Sequence, residues 1–395
     1  MNDAIPTVKA EDIKVERIDA SAHPEFKNHE HLFKITAPTY GFTAFIGVHN
    51  TALGPGEGGI RYKHYGSEDE AVTDVLRLSE GMTLKSAAAN LEAGGGKTVV
   101  MAIEGERKPT RTTLEALAHG LNAVNADKPL YYGAEDMNIS EDDLAYMSDF
   151  TRFIKGAPSD NPEIVGGNPS PLTALGVFEC MKVAVQEKFG EGQTLEGLTV
   201  ALQGVGSVGG ELARMLYDAG AKMVASDTNP AAFVALEREG IAIQRIELEE
   251  IYDVQADIFA PNAIGGTITR DVADRLHKAG VKIVCGAANN QERDQIGHIQ
   301  SKKMLELGIL YCPDFIVNSG GITWVNLVGG KSAEVRERVR TRTPQTLREV
   351  IRLQKESGND MAHVAEDYAL ARVRSAEKRR AAEKGGDAAP RSAAV

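Results

Sequence analysis

Residues 198–227 read LTVALQGVGSVGGELARMLYDAGAKMVASD, and this stretch decides the fold. An apolar strand, a glycine turn, a helix and a second strand follow one another within 30 residues. Gly204, Gly206 and Gly209 form a GxGxxG motif, and Asp227 ends the second strand 23 residues after Gly204. This context predicts a dinucleotide-binding βαβ unit rather than a glycine turn that serves only packing.

Each part of the motif has a physical role. Gly204 permits the tight turn, Gly206 lets backbone amides approach a pyrophosphate, and Gly209 lets the helix pack closely on the strand. The helix N-terminus attracts phosphate, and Asp227 is placed to bond the adenosine ribose. Its charge would repel a 2′-phosphate and no arginine follows within three residues, so the sequence predicts NAD rather than NADP. The predicted cofactor contacts here are Gly204, Gly206, Ser207, Val208, Gly209 and Asp227.

The chain length and the order of elements predict a two-domain α/β protein. A chain of 395 residues exceeds what one hydrophobic core usually spans. Strand-like runs at 257–261, 282–286 and 310–317 alternate with helical segments, which predicts a parallel sheet covered on both faces. The Pro/Gly/Asn/Ser-rich segment 158–171 marks the boundary. The predicted division is an N-terminal domain, 1–165, a Rossmann-like domain, 166–345, C-terminal helices returning toward the N-terminal domain, 346–380, and a disordered tail, 381–395.

Charge and cysteine content restrict the partners and the compartment. The net charge is -12, and positive charge is clustered only near 370–380, so a nucleic-acid partner is not expected. No apolar run reaches the roughly 18 residues of a membrane span, and the N-terminus lacks the order of a signal peptide. The cysteines Cys180, Cys285 and Cys312 match no metal-binding or disulfide spacing. We therefore expect a cytoplasmic protein without a metal.

Two lysines and an aspartate in the N-terminal half are candidates for chemistry. Lys97 follows three glycines, which leave room for a substrate beside a buried amine. Desolvation and a neighbouring cation would lower the pKa of Lys97, and Lys85, 12 residues earlier, could supply that cation while holding a substrate anion. Asp136 ends a predicted strand and is a candidate proton shuttle.

The pattern further predicts a strand at 41–48, a glycine-rich loop at 51–60, helices at 67–80, 82–91 and 112–125, and a strand at 98–103.

Eight segments occur in the order typical of one family. They are TALGPGEGGIRY, RLSEGMTLKSAAANLEAGGGKTVV, YYGAEDM, GGNPSPLTALGV, ALQGVGSVGGELA, DIFAPNAIGGTI, GAANNQ and CPDFIVNSGGI. In these segments the chain resembles the leucine, valine and phenylalanine dehydrogenases, which share a superfamily with the glutamate dehydrogenases. The resemblance covers about residues 30–370.

The resemblance implies a fold and a reaction. It implies an N-terminal substrate domain, a Rossmann-like NAD domain, an active site in the cleft between them, and a homo-oligomer. The reaction would be oxidative deamination of an L-2-amino acid to the 2-oxo acid and ammonia. Lys97 would activate water, Asp136 would move protons, and Lys85 would hold the substrate carboxylate. The further substrate contacts would be Glu57, Ala134, Asn290, Ile322 and Val325, and the further cofactor contacts Thr173 and Asn289.

The sequence departs from the family at Glu57. Branched-chain enzymes carry leucine there and glutamate dehydrogenases carry lysine. A buried carboxylate needs a partner or a proton. That partner is either a basic or polar substrate side chain or a nearby arginine such as Arg61. The second interpretation is favoured because Ala134, Ile322 and Val325 are apolar.

Smaller departures concern the nicotinamide region and the only tryptophan. Met137 and Asn138 replace a small valine and glycine, and Lys155 stands where a cofactor-contacting threonine is often found. Trp324 is interpreted as a residue that packs in the interior rather than as a wall of the pocket.

A glutamate dehydrogenase is disfavoured because Glu57 would repel the distal carboxylate of glutamate. A noncatalytic NAD-binding regulatory protein is disfavoured because it would not need Lys85, Lys97 and Asp136.

Overall fold

The computed structural model describes residues 8–293 and 297–386 of the chain. It divides into two compact units: Met1–Ala87 with Leu91–Pro158 and Tyr368–Val395, and Ala88–Asn90 with Ser159–Asp367. Both units combine a sheet with helices, which confirms the predicted α/β class. None of the described helices is long and apolar enough to cross a membrane.

A six-stranded mixed sheet forms the centre of the first unit. Its strands are β1 Lys14–Arg17, β2 His31–Ala37, β3 Phe42–Asn50, β4 Gly56–Lys63, β5 Gly94–Met101 and β6 Tyr131–Ala134. Their order is β1-β2-β3-β5-β4-β6. Strands β1, β2, β3 and β5 pair antiparallel in succession, whereas β4 runs parallel to both β5 and β6.

Helices cover both faces of this sheet; they are α1 Glu68–Ala88, α2 Arg111–Val124 and α3 Glu141–Met147. On one face Leu117 of α2 packs in a cluster with Ile60 of β4. On the other face Leu76 of α1 packs in a cluster with Val99 of β5. Helix α1 was predicted as two helices broken near Gly81. It continues because a glycine costs a helix only about 1 kcal/mol relative to alanine, less than packing along the helix supplies.

The second unit contains a parallel sheet of the dinucleotide-binding type. Its strands are β7 Thr199–Gln203, β8 Lys222–Ser226, β9 Gln244–Arg245, β10 Ile258–Pro261, β11 Ile283–Val284 and β12 Leu310–Tyr311. The strand order is β12-β11-β10-β7-β8-β9, and all neighbours are parallel. Numbered from β7, this is the 3-2-1-4-5-6 order of Rossmann folds, with its switch point between β7 and β10.

The helices of the rest of the chain follow the predicted pattern with two corrections. They are α4 Ser170–Phe189, α5 Ser207–Asp218, α6 Pro230–Arg238, α7 Arg270–Lys278, α8 Ile299–Glu306, α9 Asp314–Val317, α10 Gly320–Asn326, α11 Ser332–Ser357 and α12 Met361–Gly386. The run 310–317 is not one strand, because Pro313 lacks an amide for the ladder and α9 begins after it. Residues 381–386 were predicted to be disordered but continue α12, since alanine, glutamate and lysine favour helix. The rest of that predicted tail lies outside the described residues.

A buried histidine joins two carboxylates in the second unit. His298 Nδ1 lies 2.9 Å from Glu292 Oε2, and its Nε2 lies 3.1 Å from Glu366 Oε1. Burial alone would lower the pKa of His298, but hydrogen bonds to Glu292 and Glu366 and their charges raise it to about 10. The imidazolium is therefore the form present at neutral pH.

Because of His298, we expect the stability of the fold to decrease as the pH becomes alkaline. Its folded-state pKa is raised, so its contribution is complete below the unfolded value of about 6.5 and is lost as pH rises toward about 10. We expect His298→Asn, which tolerates the observed φ of 49°, to lower stability at pH 7 by about 3 kcal/mol and much less at pH 10. Thermal denaturation at both pH values measures this, with the exposed His277→Asn as control. An equal deficit at the two pH values would contradict the assignment.

Candidate active site

A buried lysine and a carboxylate form the centre of a polar site in the first unit. Lys97 lies in β5, is 4% exposed, and places its Nζ 2.9 Å from Asp136 Oδ2. Burial lowers the pKa of Lys97, and the charge of Asp136 only partly opposes this. The side chain is therefore closer to a neutral amine than a solvated lysine is.

Arg61 continues this pair into a chain of charged groups. Its Nε lies 2.9 Å from the same Oδ2 of Asp136, and its Nη1 lies 3.2 Å from Asp74 Oδ2. Tyr65 donates its hydroxyl to that oxygen of Asp74 at 2.6 Å. Burial alone would raise the pKa of Asp136, but the charges of Lys97 and Arg61 and their hydrogen bonds lower it to about 2. Asp136 is thus an anion held between two donors.

Sequence reasoning named Arg61 only as a candidate partner of Glu57 and did not place it beside Asp136. It assigned the cation next to Lys97 to Lys85, whereas Arg61 contributes such a charge and lowers the pKa of Lys97 in addition to burial. One local signal for Arg61 was its position two residues after Gly59. Residues two apart on a strand share a face, so Arg61 lies on the face where Gly59 approaches Lys97.

Strand register brings several predicted residues to the sheet face that carries Lys97. Paired residues of neighbouring strands point to the same face, and so do residues two apart. The residues on this face are Glu57, Gly59, Gly95, Lys97, Tyr132 and Ala134. Helix α1 lies over it, since a Cβ on Gly95 would be 2.1 Å from Thr83 Oγ1. Lys85 is half-buried in the last turn of α1, two residues after Thr83.

Glycines make room for this site, and they correct one prediction. The stretch 51–60 was predicted to be a loop, but β4 begins at Gly56. A Cβ on Gly58 would be 1.7 Å from Gly96 O, and one on Gly59 would be 2.5 Å from Asp136 Cβ and 2.9 Å from Lys97 Nζ. These glycines serve close approach within a strand rather than a turn.

Glu57 has a partner that the sequence did not predict. Its carboxylate Oε1 lies 2.5 Å from Lys155 Nζ, and the Glu57 residue is 6% exposed. The predicted partner Arg61 instead contacts Asp136 and Asp74. The prediction of Arg61 as the partner was wrong. Arg61 lies four residues from Glu57 along β4, and it pairs with the nearer carboxylates of Asp136 and Asp74.

The glycine turn of the second unit has the form required for a bound pyrophosphate. Gly204 has a φ of 95°, which favours glycine, and a Cβ on Gly209 would be 2.2 Å from Gly204 O. A Cβ on Gly206 would meet no described atom within 4 Å, so the space beside it is open. Ser207 begins α5, directly followed by Val208, and the helix N-terminus faces that turn. These residues fit the dinucleotide that the motif predicts.

Asp227, which directly follows β8, supports the turn through two hydrogen bonds. Its Oδ2 accepts a hydrogen bond from the Val205 amide at 2.8 Å, and its Oδ1 accepts one from the Asn229 amide at 2.7 Å. The sequence did not reveal this structural role. A carboxylate oxygen has more than one acceptor site, so ribose hydroxyls can still be bonded.

The remaining predicted residues of the second unit lie on loops and helices. Asn289 Oδ1 accepts a hydrogen bond from Asn318 Nδ2 at 2.8 Å, and Asn290 has a φ of 52° with its amide 2.6 Å from Asp314 Oδ2. Thr173 lies in the first turn of α4. Asn318 is a positioning group that sequence reasoning missed.

Helix α10 carries the two apolar candidates and the tryptophan. Ile322 and Val325 are three residues apart, share a helix face and are half-buried. Trp324 is 6% exposed and donates its Nε1 hydrogen to Gly166 O at 3.2 Å, which confirms its interpretation as packing. No group of three or more His, Cys, Asp or Glu in the described part of the chain could hold a metal ion.

Two family models match the chain. The model described as Glu/Leu/Phe/Val dehydrogenase, dimerisation domain, matches residues 29–153. The model described as Glutamate/Leucine/Phenylalanine/Valine dehydrogenase matches residues 169–247 and 232–381. Together they match residues in both compact units.

Individual relatives agree with these matches. A leucine dehydrogenase from Thermoactinomyces intermedius is 39% identical over 75% of this chain and 77% of its own. A phenylalanine dehydrogenase from Lysinibacillus sphaericus is 36% identical over 84% of each chain. The crystal structure of L-tryptophan dehydrogenase from Nostoc punctiforme superposes with a TM-score of 0.75 at 31% identity, covering 89% of this chain and 97% of that chain.

Proposed function

The chain belongs to the glutamate, leucine, phenylalanine and valine dehydrogenase family, and from this premise we propose that it oxidatively deaminates an L-2-amino acid, reversibly. Besides the amino acid, the reaction consumes water and the oxidised dinucleotide, and it yields the 2-oxo acid, ammonia, the reduced dinucleotide and a proton. The observation that carries the proposal is the buried Lys97 in contact with Asp136 on a face cleared by glycines. A protein that only bound a dinucleotide would not need this pair.

The proposed chemistry follows from the charge states of the two side chains. Because burial lowers its pKa, Lys97 can be a neutral amine that takes a proton from the water attacking the imino carbon. Asp136, ionised with a pKa of about 2, accepts hydrogen bonds and relays protons to and from the substrate nitrogen. Lys85 holds the substrate carboxylate. The glycine turn at Gly204, Gly206 and Gly209 would hold the dinucleotide, which would supply the acceptor for the hydride from Cα.

The substrate we propose is a branched-chain or aromatic amino acid. The matched side-chain positions Ala134, Ile322 and Val325 are apolar. The relatives are named for leucine, phenylalanine and tryptophan. A basic substrate was the alternative raised by Glu57, but Lys155 already neutralises that carboxylate.

A panel of L-amino acids tests this proposal. Purified protein would be assayed at alkaline pH for reduced dinucleotide with leucine, valine, phenylalanine, tryptophan, lysine, glutamine and glutamate. We expect turnover of the apolar and aromatic members. Turnover of none of them by folded protein that binds dinucleotide would contradict the proposal.

The proposed cofactor is NAD, because Asp227 would repel a 2′-phosphate. We expect Asp227→Asn to raise the NADP-to-NAD ratio of kcat/KM by about tenfold or more, since like charges in contact cost several kcal/mol. The two oxygens of Asp227 accept from the Val205 and Asn229 amides, and asparagine keeps one of these two acceptor oxygens. Asp218→Asn at the end of α5 is the matched control. An unchanged ratio in Asp227→Asn would show that this carboxylate does not select the cofactor.

Assembly and compartment are also proposals. The N-terminal match carries the description of a dimerisation domain, which supports a homo-oligomer. Cys180, Cys285 and Cys312 are free buried thiols, which supports a reducing cytoplasm. Light scattering of the full chain tests the first proposal, and a monomer at micromolar concentration would contradict it.

A further inference from the structure

Glu57 and Lys155, which the sequence analysis singled out separately, form a single ion pair. They are 98 residues apart in sequence, yet Lys155 Nζ contacts Glu57 Oε1. Their side chains are 8% and 17% exposed, so the pair is largely shielded from water.

The backbone holds Lys155 beside the strand that carries Ala134. The Lys155 amide donates to Gly133 O at 2.8 Å, and the Gly133 amide donates to Phe153 O at 3.0 Å. This segment therefore extends the sheet at β6. The Lys155 Nζ lies 5.3 Å from the centre of the Tyr132 ring, and Tyr132 pairs with Glu57 in the register of β6 and β4.

The pair lies at a substrate side chain's length from the proposed reaction centre. Glu57 is two residues before Gly59, whose Cβ position is 2.9 Å from Lys97 Nζ. Two residues of a strand span about 7 Å, comparable with an extended side chain of four or five bonds. The pair and Lys97 share one sheet face.

We propose that Glu57 and Lys155 together form a charge-compensated wall that selects substrates with uncharged side chains; this rests on the proposed amino-acid dehydrogenase function. Glu57 repels a distal carboxylate and Lys155 repels a distal ammonium. Because each charge neutralises the other, neither attracts a charged substrate strongly enough to offset its desolvation. Lys155 is thereby a specificity residue.

Removing one charge at a time tests the proposal. Glu57→Leu removes the carboxylate that contacts Lys155, and we expect the kcat/KM for glutamate relative to leucine to rise by about tenfold or more. Lys155→Met leaves the carboxylate, and we expect the value for lysine relative to leucine to rise by a similar factor. The double variant Glu57→Leu/Lys155→Met removes both charges and should again prefer leucine to both.

A surface pair of the same kind provides the control. Lys34 Nζ lies 2.6 Å from Glu68 Oε1 in the same unit, and Lys34→Met should leave the substrate ratios unchanged. If Glu57→Leu or Lys155→Met fails to fold, Glu57→Gln or Lys155→Gln replaces it, because glutamine removes the charge with less change in polarity. The double variant carries no uncompensated charge.

The outcomes separate this inference from the function on which it rests. Wild-type turnover of leucine with no change of ratios in any folded variant overturns the inference alone. A wild-type preference for glutamate or lysine over every uncharged member of the panel also overturns it. Absence of turnover of all amino acids by dinucleotide-binding wild type overturns both.

Discussion

Asp136→Asn is expected to lower kcat by about 10²–10⁴-fold, the usual contribution of a positioned acid–base group. Asparagine keeps the size of the side chain but can neither carry the charge nor move the proton. Lys97 and Arg61 lose their shared counter-charge, which both of them contact at 2.9 Å. Since Asp136 raises the pKa of Lys97 against the effect of burial, its loss lowers that pKa further. The residual rate should therefore reach its plateau at a lower pH than in wild type.

The measurement is a pH profile of kcat together with dinucleotide affinity. Affinity should stay near the wild-type value, because Asp136 and the glycine turn belong to different compact units. Glu135→Gln, the adjacent carboxylate, is the control and should retain most activity. A loss of less than threefold in Asp136→Asn would contradict the assigned role.

Gly59→Ala is expected to lower kcat/KM by about 10²-fold or more, because displacements near 1 Å can cost that much in a catalytic site. The added methyl would be 2.5 Å from Asp136 Cβ, 2.9 Å from Glu135 O and 2.9 Å from Lys97 Nζ. Contacts below 3 Å force the pair or the end of β6 to move. The substitution changes no charge and no hydrogen-bonding group, so the loss reports geometry alone.

The same substitution at Gly81 is the matched control. A methyl there would meet no described atom within 4 Å, and alanine should stabilise α1 by up to about 1 kcal/mol. Activity assays with thermal denaturation of both variants give the comparison. Wild-type activity in folded Gly59→Ala would mean that the Lys97–Asp136 contact is not needed in its observed geometry.

The second unit was predictable because its signals are local. The strand, the glycine turn and helix α5 follow one another between Thr199 and Asp218; Gly204 is explained by its φ value and Gly209 by a close approach. The strand order then follows from the alternation of strands and helices. The dual role of Asp227 was not predictable, because its bond to Val205 depends on the exact path of the turn.

The first unit was less predictable because its decisive contacts are distant in sequence. Glycine usually indicates a turn, so the start of β4 at Gly56 was assigned to a loop; only the neighbouring strands reveal why glycine is required there. Arg61 and Asp136 are 75 residues apart, and no spacing rule relates them. Glu57 and Lys155 were noticed separately as departures, but only the sheet shows that they are one feature.

The most direct test of the central claim is the stoichiometry of one reaction. Wild-type protein would be incubated with excess dinucleotide and its best amino acid from the panel, and reduced dinucleotide, ammonia and 2-oxo acid would be quantified. We predict that the three form in equal amounts and that Lys97→Met forms none of them above background. Dinucleotide reduction without ammonia, or undiminished activity in Lys97→Met, would contradict an amino-acid dehydrogenase centred on Lys97 and Asp136.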